Sequence, residues 1–259
     1  MFKVKHLITV PVCLFSFVYT LYAVGHLMSF LSVPNKIKKE YTWLLNILDN
    51  PSRFETSLLP LTLDTLLIIS FIFQHSLMRA DFLKSIWNKI GLSTIERSIY
   101  NIATSATLLF LMSNWRTIPT FNLWSVNVES GSSIFWAYVI SHIFAWSIIC
   151  GGCVLYDLPE LLGLSQVYND MNNCLTPLMY KTTELRRLLG RVRHPSLLAL
   201  TFILWTTNLM SLDRLILSVL WTVYMYVAWN TDDQDVIYHR SQLLKKKMEL
   251  RTQFRNSQY

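Results

Sequence analysis

A chain of 259 residues that is 52% hydrophobic and only 15% charged, with a mean hydropathy of +0.33, is too apolar for a water-soluble domain. Its net charge of +7 excludes an acidic, disordered chain; scattered between apolar runs, such charge suits anionic lipid headgroups and gives no reason to expect specific nucleic-acid binding. The composition therefore predicts an all-α, polytopic transmembrane helix bundle in a lipid bilayer, because about 20 apolar residues in a helix satisfy their own backbone polar groups where water is absent.

About six spans are predicted, in one integral membrane domain covering 1–259. The first is 7–33, with Lys3, Lys5 and His6 before it and Lys36, Lys38 and Lys39 after it. That run is longer than the apolar region of a signal peptide. The second is 58–78, the third 98–115 and the fourth 134–156. Ser93-Thr94-Ile95-Glu96 has the capping-box spacing that starts a helix, and Asp157-Leu158-Pro159-Glu160 is a second helix start. Leu185, Leu188, Leu189 and Val192 then form one apolar face beside Arg186, Arg187, Arg191 and Arg193, the pattern of a helix lying among headgroups.

The last apolar block begins right after Arg193-His194-Pro195 and carries Asp213-Arg214 near its middle. It is too long for one span. It reads as a short helical hairpin, 196–211 and 215–230, turning at Asp213-Arg214 and followed by a basic tail over 231–259. That tail opens with Asp232-Asp233-Gln234-Asp235 and continues to Lys245-Lys246-Lys247. With six spans, most of the 23 Lys and Arg residues fall on the side holding both termini, which predicts that side as cytoplasmic or nucleoplasmic.

Cys13, Cys150, Cys153 and Cys174 form no spaced framework and pair with no histidine at zinc-ligand spacing, so they read as packing residues and no metal is expected. Asp64 and His75 are the polar pair that stands out within a span. Eleven residues bring them within roughly 20° of the same helix face, about 16 Å apart along the axis. They read either as a polar track or as two separate hydrogen bonds to neighbouring helices. His26 and His142, each alone among aromatics, read as packing residues.

Several short motifs carry a resemblance. Gln74-His75-Ser76-Leu77-Met78, Glu96-Arg97-Ser98-Ile99-Tyr100, Glu160-Leu161-Leu162-Gly163-Leu164, Gln166-Val167-Tyr168, Arg193-His194-Pro195, Asp213-Arg214-Leu215 and Asp233-Gln234-Asp235 occur in the order found in the nurim family. The chain resembles that family from about residue 58 to 250. The resemblance implies six transmembrane helices, residence in the inner nuclear membrane near nuclear envelope or lamina components, and no established catalytic activity.

A more distant similarity is to the isoprenylcysteine carboxyl methyltransferase superfamily, through Arg193-His194-Pro195 ahead of a helical hairpin. It implies an S-adenosylmethionine site at the cytosolic membrane face and a lipophilic methyl acceptor. In that reading Arg193 holds the cofactor's carboxylate, His194 donates to it or to the ribose, and Asp232, Asp233 or Asp235 takes its ammonium or ribose hydroxyls; Trp221, Tyr224, Tyr226 and Trp229 either face its sulfonium or form an interfacial belt. The chain departs from the superfamily in following Pro195 with Ser196-Leu197-Leu198 and in having aspartates where paired glutamates are usual. A membrane methyltransferase and a non-enzymatic membrane component both remain open at this stage.

Overall fold

The structure, a computed structural model, describes residues 5–37, 41–78, 80–155, 157–191, 196–228, 233–234, 237–238, 240–242, 244–245 and 248. Among them, three helices are long and apolar enough to cross a membrane: α1 (His6–Ser32), α2 (Pro51–Leu77) and the greater part of α5 (Ser133–Leu155). Between them lie β1 (Thr42–Trp43), α3 (Asp81–Ile90), α4 (Glu96–Asn114) and β2 (Phe121–Ser125). After α5 come α6 (Leu158–Leu161), α7 (Leu164–Met171), α8 (Thr183–Arg191), α9 (Leu197–Trp205), β3 (Leu209–Ser211) and α10 (Leu212–Val227).

Helix pairing follows side-chain size. Lipid offers no hydrophobic drive between helices, so close approach depends on small residues and cross-helix hydrogen bonds. α1 meets α4 along such a seam, with Ser16 Oγ donating to the Ser98 carbonyl at 3.0 Å and Ser105 Oγ to Thr20 Oγ1 at 3.4 Å. α2 packs on both α4 and α10, and α5 on α9. Ile68, Leu108, Leu111, Trp146, Ile203, Leu217 and Trp221 fill the shared core.

Two predicted starts move. α2 begins at Pro51 rather than near residue 58, because Pro suits the first helical position and Arg53 and Ser57 reach Thr42 and Thr120 across the entry; apolarity marks where lipid begins, not where the helix does. Ser93 does not cap α4. Residues Ser93–Ile95 form one 3-10 turn, Ile95 takes the cap position without a side-chain bond, and its burial beside Cys13 and Val167 fixes the entry instead. Asp157 does cap α6, its Oδ1 accepting from Glu160 N at 3.3 Å.

The hairpin differs most. Its arms have 9 and 16 residues, about 14 and 24 Å of helix, so α9 falls well short of a bilayer core of about 30 Å. The connection is β3, and Asp213 and Arg214 lie buried in the first turn of α10 instead of forming the tight turn between the arms. β3 pairs antiparallel with β2, and β2 parallel with β1. Leu209, Met210 and Ser211 are all buried. Non-helical backbone near lipid is tolerated only when protein covers it, and here the sheet supplies the ladder that the short helices leave open.

Two ends of the bundle result. One gathers the N-terminus, the 78–97 connection and residues 157–191, tied by Lys5 to Asp170 at 2.6 Å and by Arg97 Nε to the Leu161 carbonyl at 2.9 Å. The other gathers the chain after α1, the sheet and the base of the hairpin. There Asn35 N donates to Asn208 Oδ1 and Asn208 Nδ2 to the Asn35 carbonyl, both at 2.8 Å.

Candidate functional site

Of the residues predicted to hold a cofactor, Arg193, His194, Asp232 and Asp235 lie outside the described residues. Asp233 is described and exposed. α8 forms where the sequence places a headgroup helix, with Arg186 and Arg187 exposed and Leu185 half-buried. Arg187 Nη1 donates to Gln234 Oε1, which brings this cationic helix beside the stretch holding Asp233.

The described charged centre is elsewhere, at the base of the hairpin. Asp213 accepts from Trp115 Nε1 at 3.0 Å and from Ile118 N at 3.1 Å. Asp64 Oδ1 accepts from Arg116 N at 3.0 Å. Arg214 donates through Nη2 to the Phe30 carbonyl at 2.9 Å and stacks over the Phe30 ring at 4.2 Å. Asp64 and Asp213 are 0% and 1% exposed and Arg214 is 9%, so each charge needs its neighbours. Asp64, Asp213 and Tyr138 all lie in the field of Arg214. Just outside the spans, burial raises the Tyr41 hydroxyl above its usual range, and the Asp213 charge adds to that rise. This centre ties α1, α2, α10 and the strand-leading segment after α4 together.

Asp64 and His75 share a helix face but serve different partners. His75 meets Tyr100, whose hydroxyl is 3.0 Å from its ring nitrogens, stacks on Phe71 at 5.7 Å and faces the edge of Tyr224 at 6.3 Å. Gln74 Oε1 accepts from Thr107 Oγ1 at 2.9 Å. His142 bridges Ser32 Oγ at 2.9 Å and Thr206 Oγ1 at 3.3 Å, a packing role as expected. His26 is exposed and lies 4.5 Å from the Tyr22 ring.

Sequence reasoning missed Trp115, Tyr100, Asn35 and Asn208, and it placed Asp213-Arg214 in a turn. The signal for the last pair was present: an acid and a base inside a long apolar run read as buried partners as readily as a turn.

Comparison with known proteins finds one group of relatives that covers most of the chain. The chain is 49% identical to a Nurim homolog of Drosophila pseudoobscura pseudoobscura over 92% of its own length and 94% of that relative. The chain belongs to the nurim family. A Nurim homolog of Drosophila melanogaster is 47% identical over 91% of this chain and 93% of its own. Human Nurim is 34% identical over 73% of this chain and 72% of its own. No family model and no solved structure matches the chain. The nurim family is thus represented here by an all-α membrane bundle whose hairpin is closed by a three-stranded sheet.

Proposed function

We propose that this nurim-family chain is a multi-pass component of the inner nuclear membrane, acting as a non-enzymatic part of the nuclear envelope held there by its membrane core. The observation that carries this reading is the hairpin base. Its buried charges bond to Trp115, Ile118, Arg116 and Phe30, the arrangement of a structural lock between helices, with Asp64 Oδ2 and Arg214 Nε left without a hydrogen bond among the described residues. Both termini belong on the nucleoplasmic side, since the basic connections gather at the end with the N-terminus. Imaging of a tagged full-length chain tests this, with Arg193→Ala/His194→Ala beside the parent. A nuclear rim in both is expected; loss of the rim by a folded double variant, or absence of the parent from the rim, overturns the proposal.

One observation favours a second reading, an S-adenosylmethionine-dependent methyltransferase for a lipophilic acceptor. The Arg187–Gln234 bond brings the exposed cationic face of α8 beside the stretch holding Asp233. Guanidinium and carboxylate groups side by side suit a zwitterionic amino-acid moiety. The cofactor would supply an electrophilic methyl group. Arg193 and His194 would hold its carboxylate, and the aspartates its ammonium. A ligand that binds the folded state raises its stability, so purified protein with millimolar cofactor should melt higher, and Arg193→Ala should abolish the rise. No rise in the parent removes this reading.

A further inference from the structure

The junction of α2, α4 and α10 holds buried polar groups that the fold leaves unused. Trp221 is 5% exposed, yet its indole Nε1 has no hydrogen-bond partner among the described residues. Gln74 Nε2 and Thr104 Oγ1 are also buried and unpartnered. Buried groups of this kind are nearly always bonded, and each idle one is costly.

They come from helices that meet, since α4 and α10 both pack on α2. At about 100° per residue, Phe71 and His75 point from α2 within about 40° of each other, with Gln74 about 60° to one side and Ser76 about 100° to the other. Gln74 faces α4, as its bond to Thr107 requires, and Ser76 faces α10 through Tyr224 at 3.3 Å. Phe71 and His75 therefore aim between the two helices. Thr104 lies between Tyr100 and Thr107 on α4, one turn from each. Trp221 closes the α10 side, 5.7 Å from the Phe71 ring.

The chemistry narrows the occupant. The indole N–H is a donor only, so it requires an acceptor. The Thr107 bond occupies one end of the Gln74 amide and leaves the other idle, and the Thr104 hydroxyl can donate or accept. Among the described residues, the guanidinium seen against this junction is that of Arg97, 5.2 Å over the Tyr100 ring, with its Nε donating to the Leu161 carbonyl. The walls are aromatic and apolar. The geometry points to a binding site for a neutral lipophilic molecule carrying a hydroxyl or carbonyl oxygen, its oxygen met by Trp221 and flanked by Gln74 and Thr104. This site uses neither Arg193, His194 nor the aspartates of the methyltransferase reading and does not depend on it.

Purified full-length protein in phosphatidylcholine nanodiscs is irradiated with a diazirine-bearing hexadecanol, and labelled peptides are mapped. A diazirine-bearing palmitate is the charged counterpart. Saturable labelling of α2 and α10 peptides by the alcohol, competed by unlabelled hexadecanol and stronger than that by palmitate, is expected. Trp221→Phe and Gln74→Leu should each weaken it about fivefold, the usual net worth of one hydrogen bond. Thr104→Val is the near-isosteric third variant, and melting without probe checks that each is folded. Unsaturable labelling, equal or stronger labelling by palmitate, or folded variants that label like the parent and melt higher overturn the proposal. The last result would mean that the polar groups are idle and better replaced by apolar ones.

Discussion

Asp213 shows how much one carboxylate holds when it is buried. It accepts two hydrogen bonds from different parts of the segment after α4 and sits beside Arg214. Asp213→Ala would strand two donors and a guanidinium, so a loss of about 3 kcal/mol or more is expected, read as a lower melting temperature in detergent. Asp64→Asn keeps an acceptor for Arg116 N, and a change within about 1 kcal/mol is expected there. Equal losses in the two variants would refute the central place given to Asp213. Gly163 makes a second contrast. It has φ +88° and a Cβ would stand 2.7 Å from Ser98 Oγ and 3.2 Å from Ser98 N. Gly91 has φ +76° with nothing within 4 Å. Gly91→Ala should cost about 1 kcal/mol, the conformational term alone, and Gly163→Ala clearly more, because the backbone of α4 must move.

Between elements, the start of α1 is fastened to α7 by one aspartate. Asp170 accepts from Lys5 Nζ at 2.6 Å and from His6 Nε2 at 3.1 Å. Partial burial would raise its pKa, but those hydrogen bonds and charges outweigh it and hold the carboxyl below the usual aspartate range. A depressed folded pKa stabilises above the unfolded value, so the contribution is intact at neutral pH. It is lost as pH falls below about 4 and through the folded pKa. Melting temperatures measured from pH 7 to 3 should therefore fall more steeply for the parent than for Asp170→Asn, and parallel curves would exclude this latch as an acid-sensitive element. The α9–β3–α10 element follows a different logic. Its composition marks it as apolar and bent, which the sequence conveys, but its depth depends on β2 from a distant part of the chain.

For the whole molecule, orientation rests on the gathering of basic connections at one end, and Cys174 offers a direct check. It is exposed just after α7, at the end that also holds the N-terminus. In cells with only the plasma membrane opened, a membrane-impermeant maleimide should label Cys174 in a variant whose other cysteines are changed to alanine. Labelling only after the lumen is opened would reverse the assigned orientation. The same end carries α8 and Asp233, so the answer also says which compartment faces that cationic helix.

The helical class, the amphipathic stretch before residue 191 and the Asp157 cap were legible in the sequence, because hydropathy, periodicity and capping act over neighbouring residues; of the about six spans expected, three described helices are long and apolar enough to cross. Asp64 and His75 could be put on one face by counting, but their partners Arg116 and Tyr100 come from another helix and its exit, and nothing in local sequence pairs them. Ser93 looked like a cap until burial of Ile95 decided otherwise. The sequence by itself determined that this chain is a basic-ended, multi-helix membrane protein with polar residues set inside its spans. Only the tertiary structure decided that Asp213 and Arg214 are buried at the head of α10 under a small sheet, since helices too short to cross alone must have their backbone and charges satisfied by residues far away along the chain.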